Sequence, residues 1–198
     1  MSGPIRSTQT GSTPVGMHSV QERYAPRSGC FGCGPANAEG LRIRSFEAPE
    51  GDGLVCDWQP RPIHEAFAGV LNGGIIGTLL DCHANWAATM ALLRARDLDH
   101  VPATVTADLQ LRFRRPARTD GPVHLRARAT GIDGDRVTCE GELRAGEAGD
   151  VCATVRATFV AVGPGHPAYD RWDRPAGEAS RSARPAGDGA EEAEQLPG

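Results

Sequence analysis

Twenty-one consecutive residues, Gly73 to Leu93, carry one formal charge, Asp81, and their large apolar groups point to every side of a helical wheel. Such a segment cannot rest on a surface; it has to be enclosed by the rest of the chain. Asn72 precedes it, and an asparagine there can accept hydrogen bonds from N–H groups two or three residues on, so "VLNGGIIGTLLD" reads as a capped helix start and not as an Asn-Gly hairpin turn. The helix is expected over about residues 73–94.

What could enclose it follows in the sequence. From Val105 to Phe113 the odd positions Val105, Ala107, Leu109, Leu111 and Phe113 are apolar and the even ones polar, the period of a half-buried strand. "VHLRARA", "RVTCEGEL" and "VCATVRATFVAV" alternate likewise. "GIDGD" and "AGEAGD" between them carry turn signals, so the four segments read as an antiparallel meander. Upstream, "GLRIRSF" and "GLVCDW" form a shorter hairpin. Two strands, one helix and four strands give an α+β fold: an antiparallel sheet of about six strands wrapped around one long central helix, the hotdog arrangement. Residues 29–163 form this domain. Residues 1–28 and 164–198 are rich in Ser, Thr, Gly and Pro without periodicity and are expected to be disordered tails.

Composition narrows the partners. A net charge of −4 over 198 residues gives no basic face for nonspecific nucleic-acid binding. No segment reads as a signal peptide or a membrane span, so a cytoplasmic protein with thiols in place of disulfides is expected. Cys30 and Cys33 form one CxxC, but the scattered Cys56, Cys82, Cys139 and Cys152 offer no second pair at zinc-site spacing. No metal and no other cofactor is expected.

The central helix carries the candidate chemistry. Gly73 and Gly74 occupy its first turn, where N–H groups lack intrahelical partners and the dipole is positive, a place that could hold a developing oxyanion; the plainer reading is close packing against a strand. Asp81 needs a partner or a polar cavity, because a bare carboxylate in an apolar setting costs several kcal/mol. Thr78, Asp81 and Asn85 share one helix face with Gly74, a polar seam that lines a substrate site or forms a buried network. Gly73 and Asp81 lie eight residues apart, about 12 Å along the axis, too far for both to reach one carbon, so a site using both takes them from different chains. His83, about 200° from Asp81 around the wheel, reads as a core histidine. His64 is placed by its loop to border a substrate mouth. Arg112, Arg114, Arg115 and Arg118 form either an anion-binding patch or a solvated face.

With these residues in hand, the chain resembles the PaaI-type acyl-CoA thioesterases of the hotdog superfamily. The likeness rests on "CFGCGPANAEGL", "HEAFAGVLNGGIIGTLLD" and "TVTADLQLRFRRP", and spans about residues 29–163. It implies that Gly73 N–H, aided by Gly74, polarises a thioester carbonyl. Asp81, nine positions after Asn72, would activate water or attack directly, and Thr106 would assist it. The reading as a whole expects acyl-CoA as substrate and a homodimer or dimer of dimers, with His64 at the mouth, Thr78 and Asn85 on the polar seam and Arg112, Arg114 and Arg115 in the basic cluster binding substrate. Two departures stand out. Asn72 replaces the usual motif histidine and cannot titrate, which leaves open a non-catalytic hotdog protein that binds CoA esters or a partner. Strand parity, moreover, turns Thr106 away from the helix unless a bulge intervenes.

Overall fold

The computed structural model describes residues 18–146 and 149–173. Its main body is a six-stranded antiparallel sheet curved around helix α2 (Gly73–Ala95), so the hotdog expectation holds, as do the helix bounds to within a residue. The strands are β1 (Phe46–Glu47), β2 (Leu54–Trp58), β5 (Thr104–Phe113), β6 (Val123–Asp133), β7 (Arg136–Ala145) and β8 (Asp150–Ala161), in the spatial order β1-β2-β6-β7-β8-β5. A separate two-stranded hairpin, β3 (Glu65–Phe67) with β4 (Val70–Leu71), turns at Gly69, whose φ of 77° suits a residue without Cβ.

The alternation read in β6 and β7 is the one observed. Val123, Leu125 and Ala127, and Val137, Cys139 and Leu143, are buried against the helix. From α2, Ile76, Leu79, Leu80, Trp86 and Met90 fill the space between them. Three expectations are corrected. β5 does not continue the meander: it crosses the molecule and pairs with β8, leaving only β6-β7-β8 consecutive and β5 at the sheet edge. Residues 40–45 of "GLRIRSF" are not a strand. Arg42 takes φ 52°, and the N–H groups of Leu41 and Ile43 are spent on Phe31 and Gly32 carbonyls. Finally, α2 is not enclosed throughout. Its second half is buried, while Asn72, Gly73 and Gly74 are exposed and Thr78 and Asp81 half-buried.

The body also extends past the expected limits of residues 29–163. Helix α1 (Val20–Tyr24) begins with a capping box between Ser19 and Glu22, and Val20 N–H donates to Ser45 O. At the other end Trp172 is buried beside Trp86, ring centroids 4.7 Å apart, and its indole N–H donates to Pro102 O. The remaining parts of the expected tails, residues 1–17 and 174–198, lie outside the described residues.

Candidate active site

Asn72 begins the site because three elements converge on it. Its own N–H donates to His64 O, the preceding Leu71 N–H donates to Ala117 O, and its extended backbone (φ −64°, ψ 136°) turns the chain into α2. Asn72 Oδ1 then accepts from Gly74 N–H at 2.8 Å and from Ile75 N–H at 3.4 Å. The cap therefore engages the second N–H of the turn, which leaves Gly73 N–H as the donor of that turn not used by it. Packing does not demand Gly73, where a Cβ would meet only Phe113 at an ordinary 3.5 Å, whereas one on Gly74 would press to 3.1 Å on the capping Asn72 Oδ1.

Nine positions along, Asp81 is held from the sheet. Thr106 Oγ1 donates to Asp81 Oδ1 at 2.8 Å. The contact exists because of a bulge: Thr106 pairs with Phe159, but the next pair is Asp108 with Thr158. The extra residue inverts the parity, so Thr104 and Thr106 face inward before the bulge and Leu109, Leu111 and Phe113 share the inner face after it. The simple alternation was thus right for the second half of β5 and wrong for Val105 and Ala107. Burial pushes the Asp81 carboxyl above its usual range, and nearby Cys30 adds to this. The Thr106 bond and the charge of Arg171 pull the other way without cancelling it.

The other candidates separate. Thr78 bonds back to Gly74 O and stays half-buried beside Asp81. Asn85, on the same wheel face, is only 4 % exposed, and its Oδ1 accepts from Thr104 Oγ1, itself bonded to Thr89. The seam therefore splits into an open half and a buried network, with Asn85 in the network and not at a substrate surface of this chain. His64 does not border an opening: it is buried against Trp58, and its Nδ1 accepts from Arg61 N–H. Its contribution is to hold Asn72 through its carbonyl. His83 is the expected core histidine, between Ser45 Oγ and Leu54 O. Nor do the arginines form one patch. Arg112 lies on the outer sheet face, in a groove of about 570 Å³ with Arg126, Arg156 and Glu140. Arg115 pairs with Asp150 and Arg118 with Asp120, whereas no such ion pair holds Arg114 among the described residues.

Two features escaped the sequence reading. Arg171 lies in a segment whose composition reads as a tail, yet its guanidinium reaches Thr104 O at 2.6 Å and acts on Asp81. The tryptophan beside it, in an otherwise polar segment, was the available signal. Cys82 stands apart from the CxxC in sequence, yet its sulfur lies with those of Cys30 and Cys33, all three within 4.8 Å of one another. Linear spacing could not show this, since the third thiol is on the helix.

Against known proteins, a profile of the Thioesterase superfamily matches residues 68–152. No curated protein matches the sequence. Among solved structures, a thioesterase superfamily protein from Shewanella loihica is 25% identical with a TM-score of 0.51, over 65% of this chain and 98% of that one. A phenylacetic acid degradation-related protein from Ralstonia eutropha is 27% identical with a TM-score of 0.51, over 66% and 92%. A Bacillus halodurans protein crystallised with CoA is 21% identical with a TM-score of 0.50, over 62% and 76%. This chain therefore has the hotdog thioesterase fold, and its match to the thioesterase superfamily covers the segments that carry Asn72, Gly73, Asp81 and Thr106.

Proposed function

We propose that the protein hydrolyses acyl-CoA thioesters to the free acid and CoA, at a site assembled from two copies of the chain. The observation that carries this reading is the pairing of a Thr106-held, half-buried carboxylate, Asp81, with a helix start whose Gly73 N–H is left over by the Asn72 cap. In one chain the two lie about 12 Å apart along α2, so a single thioester meets both only when they come from different copies. The edge position of β5 favours such pairing. Its inner-face residues Leu109 and Phe113 are 38% and 57% exposed, next to the open first turns of the helix.

In this scheme Asp81 of one chain takes a proton from water as the water attacks the thioester carbon. Gly73 N–H of the other chain holds the oxyanion, and collapse expels the CoA thiolate. Gly74, its N–H engaged by Asn72, has at most an indirect part. Thr106 orients the carboxylate. Arg114, at the β5 end near Gly73, is the arginine best placed for a CoA phosphate, and the CoA in the Bacillus halodurans protein supports that ligand class.

The test is an acyl-CoA panel with wild type, Asp81→Asn and Gly73→Pro, followed by mixing of Asp81→Ala with Gly73→Pro. Hydrolysis by wild type, its loss in both single variants and partial recovery after verified subunit exchange are expected. An Asp81→Asn enzyme as fast as wild type would sink the assignment. CoA affinity without turnover across the panel would select a binding protein, a reading to which the non-titrating Asn72 lends itself.

A further inference from the structure

The segment before β1 meets the central helix through sulfur. Cys30 and Cys33 lie on a tight loop; Cys82 projects from α2 one residue after Asp81. Cys30 Sγ and Cys82 Sγ are 3.8 Å apart, and Cys33 Sγ completes a triangle with no separation above 4.8 Å. Four sulfurs arranged tetrahedrally about zinc at about 2.3 Å lie about 3.8 Å from one another, so the first pair is already at ligand spacing.

The surroundings are organised about these three atoms. The Trp86 indole N–H donates to Cys33 Sγ at 3.3 Å. N–H donors of this kind stabilise thiolates in the outer shell of a metal site. The loop can come this close only with glycines at its bends. A Cβ at position 32 would stand 2.3 Å from Cys82 Sγ, and one at position 34 would stand 2.4 Å from Cys30 N and from Ser28 O. Carbonyls of Phe31 and Gly32 accept from Leu41 and Ile43 N–H, which ties the loop to the segment that leads into β1. The three remaining cysteines, Cys56, Cys139 and Cys152, do not join the cluster.

We propose that Cys30, Cys33 and Cys82 form a binding site for a thiophilic divalent metal ion, with zinc as its occupant. Three thiolates from two separate parts of the chain close on the ion, and the thiol protons pass to solvent. Among the described residues no His, Cys, Asp or Glu atom joins as a fourth ligand, so that position falls to water or to an added thiol, on the side of Cys30, the partly exposed member of the three. The ion links the loop to the helix turn that bears Asp81, and its binding is independent of whether the protein hydrolyses thioesters.

The test uses the full chain purified without oxygen. Metal content is measured first, then the metal-stripped, reduced protein is titrated with cobalt(II) chloride and with zinc sulfate. About one zinc per chain is expected, with a thiolate-to-cobalt charge-transfer band and the red d–d bands of a tetrahedral ion that zinc displaces. Cys30→Ser, Cys33→Ser and Cys82→Ser should each lose or shift the band, while Cys139→Ser keeps it. Stripped wild type with no thiolate-to-cobalt band overturns the proposal, and so does a band unchanged in Cys82→Ser. A Cys30–Cys82 disulfide in the protein as isolated overturns it in favour of redox chemistry. Should a serine variant fail to fold by circular dichroism, the wild-type titration decides alone.

Discussion

Replacing Asn72 by aspartate separates the stability of α2 from the chemistry proposed at its first turn. Asn72 Oδ1 makes one sound bond, 2.8 Å to Gly74 N–H, and one at the limit, 3.4 Å to Ile75 N–H. Aspartate keeps that acceptor and adds a charge suited to a helix start, so stability should hold or rise by about 0.3–1 kcal/mol. Alanine removes the acceptor. Because the turn is open, water takes over its donors and the loss should be about 1 kcal/mol, or roughly 2–4 °C in Tm for a domain of this size. Rates should rank the variants differently. A carboxylate about 6 Å from an oxyanion on Gly73 N–H, at an effective dielectric of about 40 for so exposed a turn, opposes it by about 1.4 kcal/mol, or tenfold. Alanine brings no charge and should stay within a few-fold of wild type. Urea denaturation gives the first ranking and release of the CoA thiol from a short acyl-CoA the second. If Asn72→Asp turned over at least as fast as Asn72→Ala, no oxyanion would sit on this turn and the role given to Gly73 would be refuted.

Thr106→Val keeps shape and removes the 2.8 Å bond to Asp81. A bond to a charged acceptor is worth about 1.5–3 kcal/mol, and the exposure of Thr106 points to the low end, so kcat should fall roughly tenfold while Thr106→Ser retains most of it. Equal kcat for the valine variant and wild type would remove Thr106 from the mechanism. Burial, with Arg61 nearby, pushes His64 below its usual value of 6.5. Folding therefore favours the neutral ring: the contribution is full above pH 6.5 and is lost as pH falls below it, because the unfolded chain takes up the proton first. His64→Gln should flatten the urea midpoint between about pH 7 and pH 5, and an unchanged slope would show that another group is responsible. Leu80 is fully buried in the core, so Leu80→Ala should cost about 2–5 kcal/mol; a loss under 1 kcal/mol by the same urea measurement would mean that the core collapses around the gap.

What could be read in advance was whatever local rules govern. The apolar run after Asn72 marked α2 to within one residue, and the alternation of β6 and β7 named the buried side chains. The Ser19-Glu22 capping box of α1 is equally local, but it sits in a segment whose composition reads as a tail. Pairing partners were a different matter. Nothing in the alternation of β5 says that it crosses to β8, nor that one extra residue sits after Thr106, since both are decided by the opposite strand. The seam on α2 shows the same limit. Thr78, Asp81 and Asn85 are equivalent on a wheel, and only the neighbouring Thr104 and Thr89 bury the last of them. The cysteine cluster failed for want of a coordinate that spacing does not contain, the approach of residue 82 to residues 30 and 33.

The bulge in β5 leaves one codon that the strand can spare. Ala107 is exposed and pairs with nothing across the ladder to β8, so many substitutions there should pass unnoticed. An in-frame deletion of that codon would remove only the unpaired residue. Thr106 would stay opposite Phe159, Asp108 opposite Thr158 and Leu109 opposite Ala157, so both halves of the strand keep their inner faces in a regular ladder. Asp81 would keep its hydroxyl partner. Inherited variation at this point of the gene is therefore expected to be tolerant in spelling and of the loss of one codon.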